Sequence, residues 1–262
     1  MIGKKALITG GSFGIGEALA KKFAQNGIDT ILVARTEEKL AEVKREIEKL
    51  GKAKCYICKS DLINDSVNKL YRDIISEHNN IDILVNNAGF GTIGPFYELE
   101  TKREIDMIEL NVRVPVELTS YFLKDWISKG VKGTIVNISS LAAFFPIPYF
   151  ATYSATKSFL LSFSEAIRRE VEDLGINVIT ICPGGIKTEF QKRAGVPDTV
   201  YRMQNYMDVN TAVELIWTAI VKGKSPYIPG FRNRLYGMFI SLIPKSLAAK
   251  SAKIFMKRYF KK

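Results

Sequence analysis

Tyr153 and Lys157 lie four residues apart in the middle of the chain, and Ser140 precedes Tyr153 by thirteen residues. On the helix predicted here, residues at i and i+4 share one face. A phenol could donate a proton to a carbonyl oxygen or take one from an alcohol, although its ordinary pKa of about 10 is high for that work. A neighbouring ammonium would favour the phenolate and lower that pKa, and a serine hydroxyl could polarise the carbonyl. These residues predict acid–base chemistry at a carbon–oxygen bond.

A glycine-rich turn joins the first predicted strand to the first predicted helix, and it reads Thr9-Gly10-Gly11-Ser12-Phe13-Gly14-Ile15-Gly16. Gly10 would make the tight turn, Gly14 would let the backbone approach a phosphate, and Gly16 would let helix and sheet pack closely. The first amides of the helix would then face an anion. The spacing departs from the commonest dinucleotide fingerprint, so a structural turn is the alternative for these residues alone. Combined with Tyr153 and Lys157, the turn predicts hydride transfer between a nicotinamide and a carbonyl or alcohol.

The end of the second predicted strand indicates which dinucleotide is bound. A carboxylate there would bind the ribose hydroxyls of NAD and repel a 2′-phosphate. The chain instead has Ala34-Arg35-Thr36, and the Arg35 guanidinium could bind a phosphate and stack on adenine. NADP(H) is therefore favoured over NAD(H), with a solvated arginine as the alternative. Phe13 stands where a second basic residue would strengthen this preference, and the Ser12 hydroxyl is a partial substitute.

Short apolar runs alternate along the chain with segments of helical period, which is the βαβ pattern. Runs such as Ile31–Val33 are continuously apolar, as in parallel strands buried on both faces. The predicted strands are Lys5–Thr9, Thr30–Ala34, Lys54–Lys59, Ile81–Asn86, Thr134–Ser139, Asn177–Cys182 and Pro226–Ile228. The predicted helices are Ile15–Asn26, Glu37–Leu50, Asp65–Glu77, Lys102–Lys129, Thr152–Asp173 and Thr211–Val221. The pattern predicts a single-domain α/β fold, a Rossmann-type doubly wound parallel sheet between two helical layers, with ligands beyond the carboxyl ends of the strands.

Further short motifs accompany the two chemical clusters. They are Asp61, Asn86-Asn87-Ala88-Gly89, Asn111, Ser139-Ser140 and Pro183-Gly184. Together with the glycine turn and Tyr153–Lys157, they make the chain closely similar to the compact type of the short-chain dehydrogenase/reductase family. The resemblance runs from about Lys4 to about Gly230. Residues 1–230 are therefore expected to form the Rossmann-type catalytic domain, and residues 231–262 a basic amphipathic C-terminal extension.

The resemblance implies a role for each matching residue. Tyr153 would be the acid/base, Lys157 would lower its pKa and bind the nicotinamide ribose, and Ser140 would orient the substrate oxygen. Ser140 is preferred to Ser139 because the family's serine lies thirteen residues before the tyrosine. Asn111 would bend its helix and hold a water in a proton relay. The other implied cofactor contacts are Gly10, Ser12, Phe13, Gly14, Ile15, Gly16, Arg35, Asp61, Leu62, Asn87, Ala88, Gly89, Pro183, Gly184, Ile186 and Thr188. The resemblance implies no metal. It implies homodimers or homotetramers built on the Lys102–Lys129 and Thr152–Asp173 helices.

The loops expected around the substrate are apolar and aromatic, which predicts a bulky hydrophobic ketone or aldehyde. The candidate pocket residues are Phe90, Phe144, Phe145, Tyr149 and Phe190, with core or interface packing as the alternative for some of them. Lys187, Lys192 and Arg193 could meet the phosphate of an acyl carrier or coenzyme A, or be solvated. The alternative activities are a 3-oxoacyl or hydroxysteroid-type dehydrogenase of the same family. A non-catalytic NADP(H)-binding sensor or scaffold is the alternative from another class, and the complete set of Asn111, Ser140, Tyr153 and Lys157 argues against it.

Cysteine usage and the start of the chain bear on localisation. Three cysteines predict no disulfide framework, and the default is a reducing cytoplasm. Cys55 and Cys58 form a CxxC, but in a strand this spacing puts them on opposite faces, so a pair of small hydrophobes is favoured over a metal or redox site. A strand beginning at Lys5 leaves no room for a signal peptide.

The net charge of +11 is concentrated near the C-terminus, where residues 231–262 hold nine basic residues and no acidic one. On a helix over Ser246–Lys262, one side would carry Leu247, Ala248, Ala252, Ile254, Phe255 and Tyr259, and the other Lys250, Lys253, Lys257 and Lys261. This pattern favours either peripheral contact with an anionic membrane, at its inner surface, or packing on the chain's own core or a second subunit. Leu235–Ile243 is too short to span a bilayer. Nucleic acid is disfavoured because the charge is confined to one terminal helix without a supporting motif.

Overall fold

The computed structural model describes residues 4–196 and 206–257 of the chain. Its centre is a parallel sheet of six strands in the order β3-β2-β1-β4-β5-β6. The strands are β1 Lys5–Thr9, β2 Asp29–Ala34, β3 Cys55–Lys59, β4 Ile83–Asn86, β5 Thr134–Ile138 and β6 Asn177–Ile181. The strand order reverses between β1 and β4, which is where open α/β sheets bind ligands. The predicted α/β class and doubly wound parallel sheet are confirmed.

Helices cover both faces of this sheet. They are α1 Gly14–Gln25, α2 Glu37–Lys49, α3 Val67–Glu77, α4 Thr101–Ile108, α5 Val114–Lys129, α6 Ala151–Val171, α7 Phe190–Arg193, α8 Val209–Val221, α9 Phe231–Leu242 and α10 Lys245–Lys257. One core layer joins the sheet to α1, α2 and α8 through side chains such as Phe23 and Ile216. The other joins it to α3, α5 and α6 through side chains such as Ile74 and Phe122. The result is a three-layer α/β/α molecule.

Strand residues alternate between the two core layers, because successive side chains of a strand point to opposite faces. Ile8 of β1 packs in the layer of α1, whereas its neighbour Leu7 packs in the layer of α3. Cys55 and Cys58 of β3 divide in the same way, with Cys55 in the first layer and Cys58 against the second. The prediction that these two cysteines face apart is confirmed.

Two predicted elements differ from those observed. Pro226–Ile228 forms no ladder, and Tyr227 makes only an isolated parallel bridge to Ile181. The predicted helix Lys102–Lys129 is divided into α4 and α5 by a π turn over Glu109–Arg113. Pro115, at the start of α5, has no N–H, so the α-helical bond to the Asn111 carbonyl cannot form. The apolar period continues through this interruption, which is why the period alone did not reveal it.

The C-terminal helices α9 and α10 fold back onto the body of the molecule. At Gly237 of α9 an added Cβ would lie 2.5 Å from Ile228 Cδ1, and the Tyr236 ring meets that of Phe145 edge-on at 5.9 Å. α10 buries Ala248 and Met256. Among the described helices, none combines the length and the apolar character that crossing a bilayer requires. Five residues of the predicted tail lie outside the described residues: Arg258, Tyr259, Phe260, Lys261 and Lys262.

Candidate active site

A cavity of about 1470 Å³ lies at the carboxyl ends of the strands, whereas pockets for one small molecule are roughly 300–1,000 Å³. It extends from Arg35, which follows β2, to Tyr153 in the first turn of α6. The predicted site residues that line it are Gly10, Ser12, Phe13, Gly14, Ile15, Arg35, Asp61, Leu62, Asn87, Ala88, Gly89, Phe90, Ser140, Phe145, Tyr153, Lys157, Pro183, Gly184, Ile186, Thr188 and Phe190. Gly16, Asn111, Phe144 and Tyr149 are not among its lining residues. One cavity thus joins the glycine turn to the acid–base residues.

The helix α1 begins at the cavity without a side-chain cap. Its N-cap residue is Phe13, which makes no side-chain hydrogen bond to the first-turn amides. The caps of α3 and α8, Ser66 and Asp208, do accept from such amides. Gly14 has φ +60°, and an added Cβ would lie 3.1 Å from Thr188 Cγ2. The first N–H groups of α1 therefore have no side-chain partner, and they lie at the positive end of the helix dipole. Beside them Gly14 presents backbone without a side chain, and this combination fits a pyrophosphate.

Asn87 and Gly16 hold the glycine turn in place from behind. Asn87 Nδ2 donates to the carbonyl oxygens of Thr9 at 2.9 Å and Gly10 at 3.1 Å. A Cβ added to Gly16 would overlap the Gly10 carbonyl oxygen and the Asn87 amide. Gly16 therefore packs α1 against the turn, as its place in the motif predicts, but it does not reach the cavity as a predicted cofactor contact should.

The far end of the cavity is bordered by Arg35 and by the loop after β3. Arg35 is exposed there, and the next carboxylate along the chain, that of Glu37, lies 3.5 Å from Lys59 Nζ. Asp61 is engaged within its own loop, where its carboxylate accepts from the Ile63 N–H at 3.2 Å and from Asn64 Nδ2 at 2.9 Å. This end of the cavity thus offers a guanidinium, while the carboxylates of Glu37 and Asp61 already have partners.

A second cation approaches the glycine turn from α7. The Arg193 guanidinium carbon lies 4.1 Å from the centre of the Phe13 ring. Arg103 Nη2 donates to the Arg193 carbonyl at 2.9 Å and, like Arg193, lines the cavity. A cation over an aromatic face is a favourable contact. The basic residue that the turn itself lacks at Phe13 is therefore supplied from a distant segment, which no local spacing could indicate.

Tyr153 stands at the inner end of the cavity and is 7% exposed. Its ring stacks on that of Phe150 at 4.3 Å and lies 5.4 Å from that of Phe190, between ring centres. The Ser140 side chain is its polar neighbour and acts to lower the pKa of the phenol. The neighbouring Ser139 is turned away, and its Oγ donates to the Lys157 carbonyl at 2.8 Å. Of the two serines, Ser140 is the one that faces the phenol.

Lys157 lies one helical turn beyond Tyr153 and is 4% exposed. Its Nζ donates to the Ile138 carbonyl at 2.9 Å and lies 5.8 Å from the centre of the Tyr153 ring. The Ile138 carbonyl belongs to the end of β5, so sheet and helix together fix the ammonium beside the phenol. The buried thiol of Cys182, at the end of β6, is a further neighbour of Lys157.

Burial governs the protonation of these groups. Removal of the phenol from water raises the pKa of Tyr153 to about 12, and the hydrogen bond to Ser140 offsets this only in part. Burial also lowers the pKa of Lys157 to about 8. Ser140 is the group that lowers the pKa of Tyr153, and its effect is smaller than that of burial. The lowering of this pKa by Lys157 therefore stays a prediction. At neutral pH the phenol is protonated and can act as a proton donor.

Asn111 is buried in the π turn between α4 and α5 and supports the wall of the cavity. Its Nδ2 donates to the Phe90 carbonyl at 3.0 Å and to Thr156 Oγ1 at 3.1 Å, and its Oδ1 accepts from the Phe90 N–H at 3.2 Å. An added Cβ on Gly89 would lie 2.8 Å from this Oδ1 and 3.4 Å from Lys157 Nζ. The side chain of Asn111 thus ties the Gly89–Phe90 segment to α6, directly behind Lys157.

The segment after β6 forms the wall opposite the glycine turn. The Pro183 carbonyl accepts from the Leu141 N–H at 2.8 Å. Gln191 Nε2 donates to the Ile186 carbonyl, and its Oε1 accepts from the Thr188 N–H and hydroxyl, both at 3.4 Å. Gln191, which was not predicted, therefore holds Ile186 and Thr188 in position. Gln191 belongs to no motif of recognisable spacing, so the sequence did not indicate this role.

The aromatic residues predicted for the substrate pocket are only partly brought together. Phe90, Phe145 and Phe190 line the cavity, whereas Phe144 and Tyr149 are not among its lining residues. Phe144 ends a 3-10 turn over Leu141–Phe144, and such a turn sends adjacent side chains in different directions. Tyr149 has φ +67°, and its carbonyl accepts from the Gly94 N–H at 2.9 Å. Its backbone thus helps to hold the loop in place.

The remaining wall of the cavity comes from the C-terminal helices, which were not predicted to reach it. It is lined there by Tyr236, Ile240, Ala248, Ser251, Ala252, Phe255 and Met256. Ala248, Ala252 and Met256 follow each other at i, i+4 and i+8 on α10, so they form one face. This spacing is visible in the sequence and indicates a packed face, although not what it packs against.

Comparisons with known proteins bear on both the fold and the site. A family model described as short chain dehydrogenase matches residues 4–197. The 17-beta-hydroxysteroid dehydrogenase type 3 of Mus musculus is 36% identical over 196 residues, which are 73% of this chain and 63% of that protein. The chain thus spans less than two thirds of that relative's length. An uncharacterized oxidoreductase of Bacillus subtilis, DltE, is 33% identical over 202 residues, covering 74% of this chain and 76% of that protein.

Two solved structures are similar over most of both chains. A short-chain dehydrogenase from Sphingobium yanoikuyae in complex with NADPH superposes with a TM-score of 0.82 at 28% identity, covering 92% of this chain and 96% of that chain. The bulky-bulky ketone specific alcohol dehydrogenase from Comamonas testosteroni does so with a TM-score of 0.77 at 25% identity, covering 95% and 98%.

Proposed function

Because the chain belongs to the short-chain dehydrogenase family, which binds a nicotinamide cofactor, we propose that it is an NADPH-dependent reductase of a bulky, hydrophobic ketone or aldehyde, able to run the reverse oxidation. One observation carries the proposal. A single cavity of about 1470 Å³ has Arg35 and the uncapped start of α1 at one end and Tyr153, Ser140 and Lys157 at the other. The first end suits a phosphorylated dinucleotide, and the second suits proton transfer to a carbonyl.

In this proposal the bound cofactor supplies the hydride to the carbonyl carbon. Tyr153 donates its phenolic proton to the carbonyl oxygen, and Ser140 orients that oxygen by a hydrogen bond. Burial raises the pKa of Tyr153, so at neutral pH the phenol holds the proton that reduction consumes. Lys157, held by the Ile138 carbonyl, then stabilises the phenolate that remains. Asn111 positions the wall behind Lys157 and is proposed to take part in the return of the proton from solvent.

NADPH is preferred over NADH in this proposal because of the charges at the adenosine end. Arg35 is available there, and Arg193 adds a second guanidinium over Phe13. A guanidinium can bind a 2′-phosphate through two parallel hydrogen bonds. The NADPH complex of the 28% identical dehydrogenase agrees with this choice.

The substrate is inferred from the walls of the cavity near Tyr153. Phe90, Phe150 and Phe190 pack around Tyr153 at that end. Phe145 and the α10 residues Ala248, Ala252 and Met256 add further apolar lining to the same cavity. The similarity to an alcohol dehydrogenase described as specific for bulky-bulky ketones points the same way. A hydroxysteroid-type activity is the second candidate, favoured by the 36% identity to a 17-beta-hydroxysteroid dehydrogenase.

The test is a turnover assay that follows the absorbance of the reduced nicotinamide. The panel contains bulky ketones, aldehydes, ketosteroids and 3-oxoacyl thioesters, each with NADPH and with NADH. We expect NADPH oxidation with a bulky apolar carbonyl, and its loss in Tyr153→Phe, which removes only the hydroxyl. Binding of NADPH with no turnover across the panel, or equal turnover in Tyr153→Phe, would instead favour a cofactor-binding sensor or scaffold.

A homodimer or homotetramer is proposed for the assembly. Its support is exposed apolar surface on α4 and α6, where Ile105, Ile108 and Phe159 are 51%, 41% and 42% exposed. Sedimentation velocity of the full chain tests this directly, because a monomer at micromolar concentration would contradict it.

A further inference from the structure

The outer surface of α9 carries an apolar stripe that faces away from the body. Phe231, Leu235, Met238, Phe239 and Leu242 are between 51% and 83% exposed. They follow each other at i, i+4, i+7, i+8 and i+11, so they form one face of the helix. The opposite face of α9 contains the buried Gly237 and Ile240. An amphipathic surface helix usually turns its apolar face to the core. In α9 the widest apolar face points outwards instead.

α10 continues this surface beyond Pro244. Leu247 and Ile254 are 55% and 60% exposed, while Ala248 and Met256 on the inner side are buried. We call the outward apolar residues of α9 and α10 the outer apolar surface; they are Phe231, Leu235, Met238, Phe239, Leu242, Leu247 and Ile254. Isolated exposed apolar residues are ordinary, but a surface of this size on one structural unit marks an interaction site.

The charged residues of α9 and α10 are all basic. On α9, Arg232 and Arg234 flank the apolar stripe, one on each side, and Lys250, Lys253 and Lys257 form an exposed row along α10. Residues 231–262 contain no aspartate or glutamate. Apolar side chains bordered by long basic ones, whose charged ends can extend past the apolar plane, match the layers of a lipid surface with anionic headgroups.

A second copy of the chain fits this surface less well. Pairing two such surfaces would bring the basic residues of one copy against those of the other, with no carboxylate in either segment to compensate them. The apolar gain would be opposed by like-charge repulsion. An anionic bilayer supplies the opposite charge and the apolar layer together, with about 1 kcal/mol of attraction for each basic residue near the surface.

We propose that α9 and α10 dock on an anionic lipid surface through the outer apolar surface and its basic border. The inner face of α10 lines the cavity through Ala248, Ala252 and Met256. In this arrangement the same helix separates the lipid surface from the cavity. The second part of the proposal rests on the proposed function: the hydrophobic carbonyl substrate reaches Tyr153 from the lipid phase beside α10.

Three variants of the full chain separate the contributions. The first reverses the basic row, as Lys250→Glu, Lys253→Glu and Lys257→Glu. The second removes the apolar stripe, as Leu235→Ser, Phe239→Ser and Leu242→Ser. The third is the matched control for charge, with three exposed lysines outside α9 and α10 changed, as Lys49→Glu, Lys52→Glu and Lys69→Glu. None of these nine residues lines the cavity, so turnover of a water-soluble ketone reports whether each variant folds.

Co-sedimentation uses vesicles of phosphatidylcholine alone and of phosphatidylcholine mixed with phosphatidylglycerol. We expect the unaltered chain to bind the mixed vesicles, with partitioning lowered at least about 100-fold by the basic-row variant and at least about tenfold by the apolar-stripe variant. The control variant should bind much more strongly than the basic-row variant. Equal partitioning of the basic-row and control variants, or no binding of the unaltered chain to mixed vesicles, would overturn the docking. So would a change from dimer to monomer in the apolar-stripe variant without any vesicle binding, since the surface would then join two subunits.

The delivery of substrate is measured with a water-insoluble ketone dissolved in the vesicles. We expect the unaltered chain to reduce it faster in mixed vesicles than in phosphatidylcholine vesicles, and the basic-row variant to show no such difference. Equal rates for the two proteins would overturn the delivery step. Failure of the proposed function is distinguishable, because it would abolish turnover of soluble ketones as well, whereas co-sedimentation requires no turnover.

Discussion

Replacing Lys157 by methionine should change how the stability of the protein depends on pH. The folded protein holds Lys157 at a pKa of about 8 because burial penalises the ammonium, against an ordinary value of 10.5. Between these two values the unfolded chain binds a proton that the folded chain has released, so the free energy of unfolding rises with pH. The destabilising contribution of Lys157 is thus fully present below pH 8 and is removed as the pH rises from about 8 towards 10.5.

The size of this effect follows from the two pKa values. Between about pH 6.5 and about pH 9.5, the linkage relation gives the unaltered chain a gain of about 2 kcal/mol over Lys157→Met. The groups around the lysine do not disturb this difference, because burial holds the pKa of both Tyr153 and Cys182 at about 12. The lost hydrogen bond to the Ile138 carbonyl lowers the stability of the variant similarly at both pH values.

The assay is urea unfolding, followed by circular dichroism, of the unaltered chain and of Lys157→Met at both pH values. Lys69→Met, which removes an exposed lysine of α3, controls for the loss of one charge from the chain. The quantity of interest is the change with pH of the stability difference between the two proteins, from which the pH-dependence of every other group cancels. A change below about 0.5 kcal/mol, or one of opposite sign, would refute the inference that Lys157 is buried at a desolvation cost.

Three further predictions concern single side chains of the site. Ser140→Ala should lower kcat by about 100-fold, since its hydroxyl faces the phenol. Ser139→Ala should instead lower the free energy of unfolding by about 1 kcal/mol, through its lost bond to the Lys157 carbonyl, and should retain more activity than Ser140→Ala. Steady-state kinetics and urea unfolding of both variants test this, and a larger loss of kcat in Ser139→Ala would contradict it. Phe145→Ala should raise KM for a bulky ketone more than Phe144→Ala does, because only Phe145 lines the cavity, and equal KM values would count against that placement. Gly16→Ala should destabilise the fold by about 3 kcal/mol or more, because its Cβ would overlap the Gly10 carbonyl oxygen; thermal unfolding within a few degrees of the unaltered chain would rule this out.

The parts of the site that could be predicted are those that one element carries by itself. Tyr153 and Lys157 share a face of α6 because they are one turn apart, and the glycine turn is contiguous in sequence. Both therefore follow from local spacing. The pKa of Tyr153 could not be predicted in this way, since it depends on how far the surrounding chain removes the phenol from water. The same holds for Arg193, which meets Phe13 from a segment far along the chain.

The fold was predictable for a similar reason, and its errors have local causes. Continuous apolar strands identify a sheet buried on both faces, and the six observed strands lie within or close to the predicted ranges. The interruption at Glu109–Arg113 follows from Pro115, which has no N–H. The proline is visible in the sequence, but it breaks a helix only if the helix begins before it, and the sequence did not fix that start. Phe144 and Phe145 differ in placement by one residue of a short turn, which is finer than apolar pattern can resolve.

The C-terminal helices resolve part of an alternative that the sequence left open. The apolar side of the predicted tail helix could pack on the chain's own core or face a membrane, and in α10 these residues divide between the two directions. Ala248, Ala252 and Met256 turn inwards to the cavity, and Leu247 and Ile254 turn outwards. The alanines let α10 approach the cavity closely, whereas the exposed Leu247 and Ile254 do not cover it. A helix with apolar side chains on both faces has room for a separate contact on each, and the outer contact is therefore the one that vesicle binding must identify.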